Sequence, residues 1–191
     1  MMSGERRNQI LQALASILEQ PLLAKTTTAY LAEKLNLSEA ALYRHFASKA
    51  QMFEGLIEFI EETLFTRMNR IIEEQPHPLN QIESIMTLLL AFADKNPGMT
   101  RVLIGDALVH ENDRLQLRVN QVHDRVEATL RQAIRLRLAE HPATQTTQPS
   151  VSANLLMCIV IGRWHQFAKT GFKRRPLDGW EEQWRQINLL L

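Results

Sequence analysis

The sequence is poor in the features that mark several classes of protein. It has a single cysteine, Cys158, so it cannot build an internal disulfide framework, and this usage is typical of a reducing cytosol. The longest apolar runs, 85–93 and 155–162, are much shorter than the roughly 20 residues that a membrane-spanning helix needs. Residues 1–10 are polar and predict no signal peptide. These absences predict a soluble cytoplasmic protein.

Signatures of catalysis are missing as well. The six histidines show neither the HExxH pattern nor another paired ligand spacing, and one cysteine cannot build a zinc cage. The chain has no GxxxxGK[ST] phosphate loop and no GxGxxG turn. Its pairs of Asp and Glu all have the spacing of a helix surface. We therefore predict no enzyme, no metal ion, no catalytic residue and no cofactor.

Charge is nearly balanced, but it is unevenly distributed. The formal net charge is +1. Residues 1–51 carry six Lys and Arg against four Asp and Glu, whereas residues 52–75 carry two against six. A modestly basic start beside an acidic segment is compatible with a protein that meets DNA through one end only.

Residues 26–50 contain the pattern around which the chain is organised, two short helices joined by a tight turn. Thr27 or Thr28 can N-cap the first helix by accepting an orphan backbone N–H. Asn36 can end that helix because Asn tolerates the left-handed conformation. Ser38 can then cap the second helix, which is predicted to run to Phe46.

The second helix of this pattern has a distinctive outer face. Leu42 and Phe46 are four residues apart and face the core, which leaves an outward set of Ala40, Ala41, Tyr43, Arg44 and His45. The two alanines keep the start of the helix slim enough for a major groove about 12 Å wide. The polar members can donate to phosphates, and Lys49 follows just beyond. The pattern predicts a helix-turn-helix with Ser38–Phe46 as recognition helix; the alternative is a helical hairpin with a solvated polar face.

The sequence Leu42-Tyr-Arg-His-Phe-x-Ser-Lys49 after a Thr-Thr-Ala start resembles the TetR family of DNA-binding regulators. Further segments resemble the SlmA group of nucleoid-occlusion factors within that family: Met52-Phe53, Leu56–Glu61, Asn96-Pro-Gly98, Thr100-Arg101, Asp113–Gln116 and Phe172-Lys-x-Arg-Pro176. The resemblance implies an all-α fold. Residues 1–48 would form a three-helix DNA-binding domain, and residues 49–191 a helical domain for dimerisation and partner binding.

The same resemblance implies a function and its residues. A homodimer would bind palindromic double-stranded DNA on the nucleoid and block assembly of the division protein FtsZ there, so that no septum forms across DNA. How FtsZ polymer is antagonised, and whether dimers assemble further on DNA, stay open. The expected DNA-binding residues are Thr27, Thr28, Ser38, Ala40, Ala41, Tyr43, Arg44, His45 and Lys49.

By resemblance, a second set of residues holds the C-terminal tail of FtsZ. Phe59 and Arg67 match positions used for this purpose, and Lys95 and Asn96 match the end of the groove. Lys95 stands where an arginine is expected, which keeps the charge but loses the bidentate fork. Leu88 would line a groove between 56–70 and 79–95, suited to a short acidic tail with an apolar end. The alternative is that Phe59 is core and Arg67 a solvated charge.

The remaining segments predict further helices. Helices are predicted over 3–20, 49–74, 79–95, 113–140, 150–171 and 180–191, of which 79–95 is apolar nearly all round, and 99–110 is a short apolar segment. The apolar faces of 113–140 and 150–171 suit a dimer interface, or else an internal core only. Within 150–171, Cys158 is predicted to be a small buried residue, and Gly162 to permit close helix approach.

Two other functions remain open on the sequence. A TetR-type transcriptional repressor responding to a small-molecule ligand would need an open apolar pocket. The Leu, Ile and Met side chains of the helices after residue 48 look able to fill the space for such a pocket. A helical adaptor without DNA contact is disfavoured by the polar residues of the recognition helix.

Overall fold

The computed structural model describes residues 3–20, 27–140, 148–189 and 191, and these residues contain helices and no strands. The helices are α1 (Ser3–Leu18), α2 (Thr28–Lys34), α3 (Glu39–Tyr43), α4 (Lys49–Glu74), α5 (Pro78–Lys95), α6 (Pro97–Leu103), α7 (Asp113–Glu140), α8 (Pro149–Lys169) and α9 (Trp180–Asn188), with a 3-10 helix at Asp106–Leu108. The predicted all-α fold is confirmed. Of the loop predicted at 141–149, residues 141–147 lie outside the described residues.

Local capping explains how helices α1–α3, which we call the head, are delimited. The Thr27 hydroxyl accepts the backbone N–H of Tyr30 at 3.2 Å, so Thr27 is the N-cap of α2. Asn36 has φ 52° and lies just past the end of α2. The Leu37 N–H then donates to the Ala32 carbonyl at 2.9 Å, which closes a Schellman-type turn. The predicted turn at Asn36 is confirmed.

Contacts divide the chain into two compact units. The first unit contains Met1–Glu61 and Asn96–Val119, and the second contains Glu62–Lys95 and Asn120–Leu191. This division differs from the boundary predicted at residue 48. The start of α4 joins the head because Gly55 lies against Phe46 and Leu11, and α6 joins it by packing on α1.

Helix α6 packs closely on α1 within the first unit. At Gly98, an added Cβ would overlap the backbone carbonyl of Ala15. Arg101 is buried and its Nη1 donates to the Gln20 carbonyl at 2.9 Å and the Leu18 carbonyl at 3.4 Å. The carbonyl groups at the C-terminal end of α1 are therefore hydrogen-bonded by a side chain more than 80 residues away in the sequence. This bonding adds to the apolar packing of α1 against α6.

The second unit has its own apolar core with two tryptophans that are also hydrogen-bonded. The indole N–H of Trp164 donates to the Leu89 carbonyl at 3.2 Å, and that of Trp180 donates to the Thr87 hydroxyl at 2.8 Å. These bonds attach α8 and α9 to α5. The predicted apolar stripe of α7 is buried within the chain itself: Leu115 and Val119 belong to the first unit, and Val122, Val126, Leu130, Ile134 and Leu138 to the second.

One prediction for α8 is wrong, because Cys158 is exposed and not buried. Gly162 has open space around an added Cβ within this chain, so close helix approach there stays a prediction. The reason for the exposure of Cys158 is helical geometry: Met157, Val160 and Trp164 occupy the buried face, whereas Cys158 and Gly162 lie on the other side of the helix. The apolar run gave no indication of which side would face the core.

We expect Gly98→Ala to lower the free energy of unfolding by about 2 kcal/mol, because a methyl group would push α6 away from the Ala15 carbonyl. Urea unfolding followed by circular dichroism measures the change. Gly4→Ala is the matched control, since Gly4 lies in α1 with open space around it. Equal stability of Gly98→Ala and wild type would contradict the close packing.

Candidate DNA interface and peptide site

The predicted DNA-binding residues lie in α3 and in the segments that flank it, with Ala40, Ala41 and Tyr43 in the helix itself. The Ser38 hydroxyl caps α3 by accepting the Ala41 N–H at 3.2 Å. Tyr43 is 45% exposed, and Thr27, Ser38, Ala40 and Arg44 are also exposed; Thr28, Ala41 and His45 are half-buried. Leu42 and Phe46 are buried, as predicted. The face is therefore free to meet a ligand.

The recognition helix is shorter than predicted. It ends at Tyr43 rather than Phe46, and Arg44 and His45 follow it in a turn. Arg7 holds this turn, because its Nη1 donates to the His45 carbonyl at 2.9 Å and its guanidinium lies 4.3 Å from the centre of the Phe46 ring. A side chain of α1 thus hydrogen-bonds a carbonyl group just beyond the C-terminal end of α3. Ser48, two residues after Phe46, then caps α4.

A carboxylate that the sequence did not single out lies within this face. The Thr28 hydroxyl donates to Glu39 Oε2 at 2.6 Å, and the Tyr43 hydroxyl lies 3.5 Å from the Thr28 oxygen. Glu39 is the first residue of α3, a position at which the helix dipole favours a negative charge. Glu39 therefore holds the Thr28 hydroxyl in place, and the Tyr43 hydroxyl lies beside it.

Lys49 is also engaged by a carboxylate. Its ammonium forms an ion pair with Glu111 of the same unit and lies 5.7 Å from the centre of the Phe53 ring. The Lys49 side chain is 29% exposed and that of Glu111 is 16% exposed. Sequence reasoning placed Lys49 beside DNA and missed Glu111, which is 62 residues away in the chain.

The residues expected to hold the peptide belong to both units. Phe59 is 41% exposed, so the alternative that it belongs to the core is wrong. It lines a cavity of about 50 Å³ in the first unit with Leu11, Leu56 and Met99, among others. In the second unit, Arg67 and Lys95 are exposed and Leu88 is half-buried. Asn96, in the first unit, is the N-cap of α6 and is half-buried.

A further ion pair lies directly beside Lys95. Arg175 Nε donates to Asp94 Oδ1 at 2.8 Å, and a second guanidinium nitrogen also contacts the Asp94 carboxylate. The hydrogen bond from Arg175 holds the pKa of Asp94 below its ordinary value, although burial of the carboxylate opposes the shift. The basic segment 173–175 is thereby attached to the end of α5, which its position in the sequence did not indicate.

The outer face of α8 exposes apolar side chains. Val151 is 60% exposed and Leu155 is 45% exposed, and Cys158 and Gly162 continue the same face at helical spacing. The α7 stripe predicted for dimerisation is already buried within the chain, so this face of α8 offers a different apolar surface. Leu136 of α7 is likewise exposed, at 45%.

Two other kinds of site are absent from the described residues. In this part of the chain, no three His, Cys, Asp or Glu side chains are grouped as a metal ion would require. Among the described helices, none has the length and apolar character needed to cross a bilayer.

Two family descriptions match separate parts of the chain. Residues 10–56 match "Bacterial regulatory proteins, tetR family", and residues 76–191 match "Tetracyclin repressor-like, C-terminal domain". Together with the helix-turn-helix geometry, these matches define the class. The chain belongs to the tetR family of bacterial regulatory proteins.

Relatives narrow the comparison to one kind of protein within the class. The chain is 51% identical over 179 residues to the nucleoid occlusion factor SlmA of Alteromonas mediterranea, covering 94% of this chain and 92% of that protein. It is 50% identical to the nucleoid occlusion factor SlmA of a Marinomonas species, covering 98% and 96%. The resemblance inferred from the sequence is confirmed.

Solved structures agree on the fold. The FadR regulator of Bacillus subtilis, solved with stearoyl-CoA, superposes with a TM-score of 0.80 at 10% identity, covering 94% of this chain and 96% of that one. A TetR regulator from Haloarcula marismortui superposes with a TM-score of 0.78 at 16% identity, covering 96% of each. Family membership supports DNA binding and dimerisation in general, and it agrees with the prediction that the chain is not an enzyme.

The Asp94–Arg175 pair makes a pH-dependent contribution to stability. Because the folded pKa of Asp94 is depressed, this contribution is present at neutral pH and disappears as the pH falls through that pKa. We expect Arg175→Gln to be less stable than wild type at pH 7 and the difference to shrink in acid. Urea unfolding at several pH values measures it, with Arg174→Gln as control. A difference that does not vary with pH would argue against the pair.

Proposed function

We propose that this protein is a nucleoid occlusion factor. It binds palindromic chromosomal DNA as a dimer and antagonises FtsZ ring assembly over the nucleoid, which prevents septum formation across DNA. The observation that carries the proposal is about 50% identity, along nearly the whole of both chains, to proteins named nucleoid occlusion factor SlmA. In the cell it would be cytoplasmic and associated with the nucleoid.

The DNA-binding step rests on the exposed face of the head. The slim start of α3, with Ala40 and Ala41, suits entry into a major groove. Tyr43 and Arg44 then offer hydroxyl and guanidinium donors beside it. The proposed contacts to DNA are Thr27, Thr28, Ser38, Ala40, Ala41, Tyr43, Arg44, His45 and Lys49.

The peptide-binding step rests on exposed cations and one exposed aromatic ring. Arg67 and Lys95 of the second unit suit the acidic part of an FtsZ tail, and both are exposed. Phe59 of the first unit offers an apolar surface beside a small cavity, which suits the apolar end of such a tail. Leu88 and Asn96 complete the proposed set.

Dimerisation is proposed through the outer face of α8. Val151, Leu155 and Cys158 expose apolar surface along one side of this helix. A second copy is a suitable occupant because two heads are needed to read the two halves of a palindrome. Burial against that copy would also remove apolar surface from water.

The alternative, a repressor that responds to a small molecule, has less support in the body. A cavity of about 260 Å³ in the second unit is lined partly by Arg163, Arg174 and Asp178. Sites for drug-sized ligands are usually about 300–1,000 Å³ and mostly apolar. The similarity to the stearoyl-CoA-bound regulator is a similarity of fold, and at 10% identity it gives no reason to expect the same ligand here.

We expect Tyr43→Ala to weaken binding to a palindromic duplex by about tenfold, because hydrogen bonds to charged groups are worth about 1.5–3 kcal/mol. Tyr43→Phe is the conservative variant and isolates the hydroxyl. Fluorescence anisotropy at fixed salt measures affinity, while circular dichroism and sedimentation check the fold and the dimer. Unchanged affinity in both variants would contradict the proposed DNA face.

Titration with an FtsZ tail peptide, with and without palindromic DNA, tests the partner step. We expect Arg67→Glu to abolish peptide binding and to spare DNA binding, because the reversed charge repels an acidic tail. Arg70→Glu is the matched control: Arg70 lies on the same helix and is exposed, but its guanidinium already pairs with Glu74. Peptide binding that survives in Arg67→Glu would refute this assignment.

A further inference from the structure

A cavity of about 260 Å³ lies in the second unit, where it is lined by residues of α8, of α9 and of the segment 170–179 that joins them. Sites for drug-sized ligands are usually larger, at about 300–1,000 Å³, and mostly apolar. This cavity is smaller and its wall is largely polar. It therefore suits a compact polar molecule and not a large apolar one.

The charges around the cavity are mainly positive. Its charged lining residues are Arg163, Arg174, Arg175 and Asp178. Arg175 is paired with Asp94, and the Asp178 carboxylate accepts the backbone N–H of Arg175 at 3.0 Å. Three guanidinium groups and two carboxylates leave one positive charge without a counter-charge in this group. A ligand that balances the charge of the cavity is an anion.

Arg163 is fixed in the wall of the cavity. Its Nε donates to Gln183 Oε1 at 3.1 Å, and its Nη1 donates to the carbonyls of Pro176 and Asp178. These bonds join α8 to α9 and to the segment between them. Burial, and next to it the positive charge of Arg174, lower the pKa of Arg163. The two guanidinium groups are therefore close enough to repel each other, and an anion beside both would relieve that repulsion.

Arg174 is the arginine of this group whose donors remain available. Its backbone N–H donates to the Thr170 hydroxyl at 3.0 Å, which holds the main chain at this position. The side chain is exposed, and within the described residues its guanidinium has no hydrogen-bond or ion-pair partner. The fork of N–H groups on a guanidinium matches two oxygens of a carboxylate or a phosphate.

The segment that carries Arg174 has an unusual backbone conformation. Phe172 has φ 64°, in the left-handed region that is uncommon for a bulky residue. Its N–H donates to the Phe167 carbonyl at 2.9 Å, and the two rings pack edge to face with centroids 5.1 Å apart. Backbone held in this way by its surroundings is concentrated at binding sites. Here it turns the chain so that Arg174 lines the same cavity as α8.

We propose that this cavity binds a compact organic anion, whose phosphate or carboxylate group is held by Arg174 beside Arg163. The uncharged part of the ligand lies against Ile159 and Gly162, where α8 offers an apolar side chain and a wall without one. Gln166 adds an amide for a hydroxyl of the ligand. The proposal does not depend on the proposed DNA or peptide contacts, because none of these residues belongs to either set.

Isothermal titration calorimetry on the whole protein at low salt tests the binding. The probes are ribose 5-phosphate for the phosphate class, citrate for the carboxylate class, inorganic phosphate, and ribose as the uncharged control. We expect one of the two organic anions to bind about tenfold more tightly than inorganic phosphate, because the cavity has room for the organic part, and ribose not to bind. Which organic anion binds more tightly identifies the charged group.

Three results of this titration would overturn the proposal. The first is that neither organic anion binds at concentrations up to about 10 mM, well above a weak millimolar dissociation constant. The second is that inorganic phosphate binds as tightly as both organic anions, since the cavity would then recognise charge alone. The third is that ribose binds as tightly as ribose 5-phosphate, since the arginines would then play no part.

Arg174→Gln should weaken binding of the organic anion by about tenfold or more, because hydrogen bonds between two charged groups are lost. Lys173→Gln is the matched control: Lys173 is the preceding residue, is exposed and carries the same charge, but lies outside the cavity wall. It should change affinity by less than about twofold. Equal losses in the two variants would contradict the site, since any nearby positive charge would then be sufficient.

An acidic side chain of a second copy is the competing occupant, because Gly162 belongs both to the cavity wall and to the outer face of α8. Sedimentation of wild type and Arg174→Gln separates the two cases. We expect the same dimer in both proteins, since the anion is held within one chain. A weaker dimer in Arg174→Gln, together with no binding of the organic anions to wild type, would refute the proposal in favour of the second copy.

Discussion

The end of α1 depends on one buried guanidinium. Helix α1 leaves carbonyl groups without partners at its C-terminus, as every helix does, and Arg101 of α6 donates to two of the carbonyls in this region. Gly98 allows the approach because it has no side chain to strike the Ala15 carbonyl. These contacts join residues from two distant parts of the sequence in one compact unit, which contains the head together with the start of α4 and helix α6.

The candidate DNA face is arranged by hydrogen bonds before a ligand is present. Thr27 and Ser38 cap its two short helices, Arg7 holds the turn after α3, and Glu39 orients the Thr28 hydroxyl. Short helices have little stability of their own, so such bonds and the buried Leu42 and Phe46 maintain the geometry. A face held in this way loses less conformational freedom on binding.

The composition overstates the number of cations that are free near the candidate DNA face. The chain is almost neutral, and the head has only a small excess of positive charge. The structure shows in addition that Lys49 is paired with Glu111 and that Arg7 is bonded to a backbone carbonyl. Both cations are therefore engaged within the protein itself.

Local signals were sufficient to locate several of the helices. Caps, the left-handed Asn36 and the spacing of apolar residues located α2, α4, α5 and α7 to within a residue or two, because these signals act over one or two turns of chain. The motif around Tyr43 and the spread of similar segments also indicated the family. They could not show the true end of α3, since the turn that follows it is held by Arg7 from another helix.

What the sequence determined by itself was the all-helical class, the family and which residues stand at the surface of the recognition helix. Only the tertiary structure decided which side of α8 is buried, which carboxylates hold Thr28 and Lys49, and that Asp94 meets Arg175. The reason is separation along the chain. A helical period predicts which face of a helix is apolar, but not which other helix packs against it. The ion pair between residues 49 and 111 likewise corresponds to no pattern in either segment of the sequence.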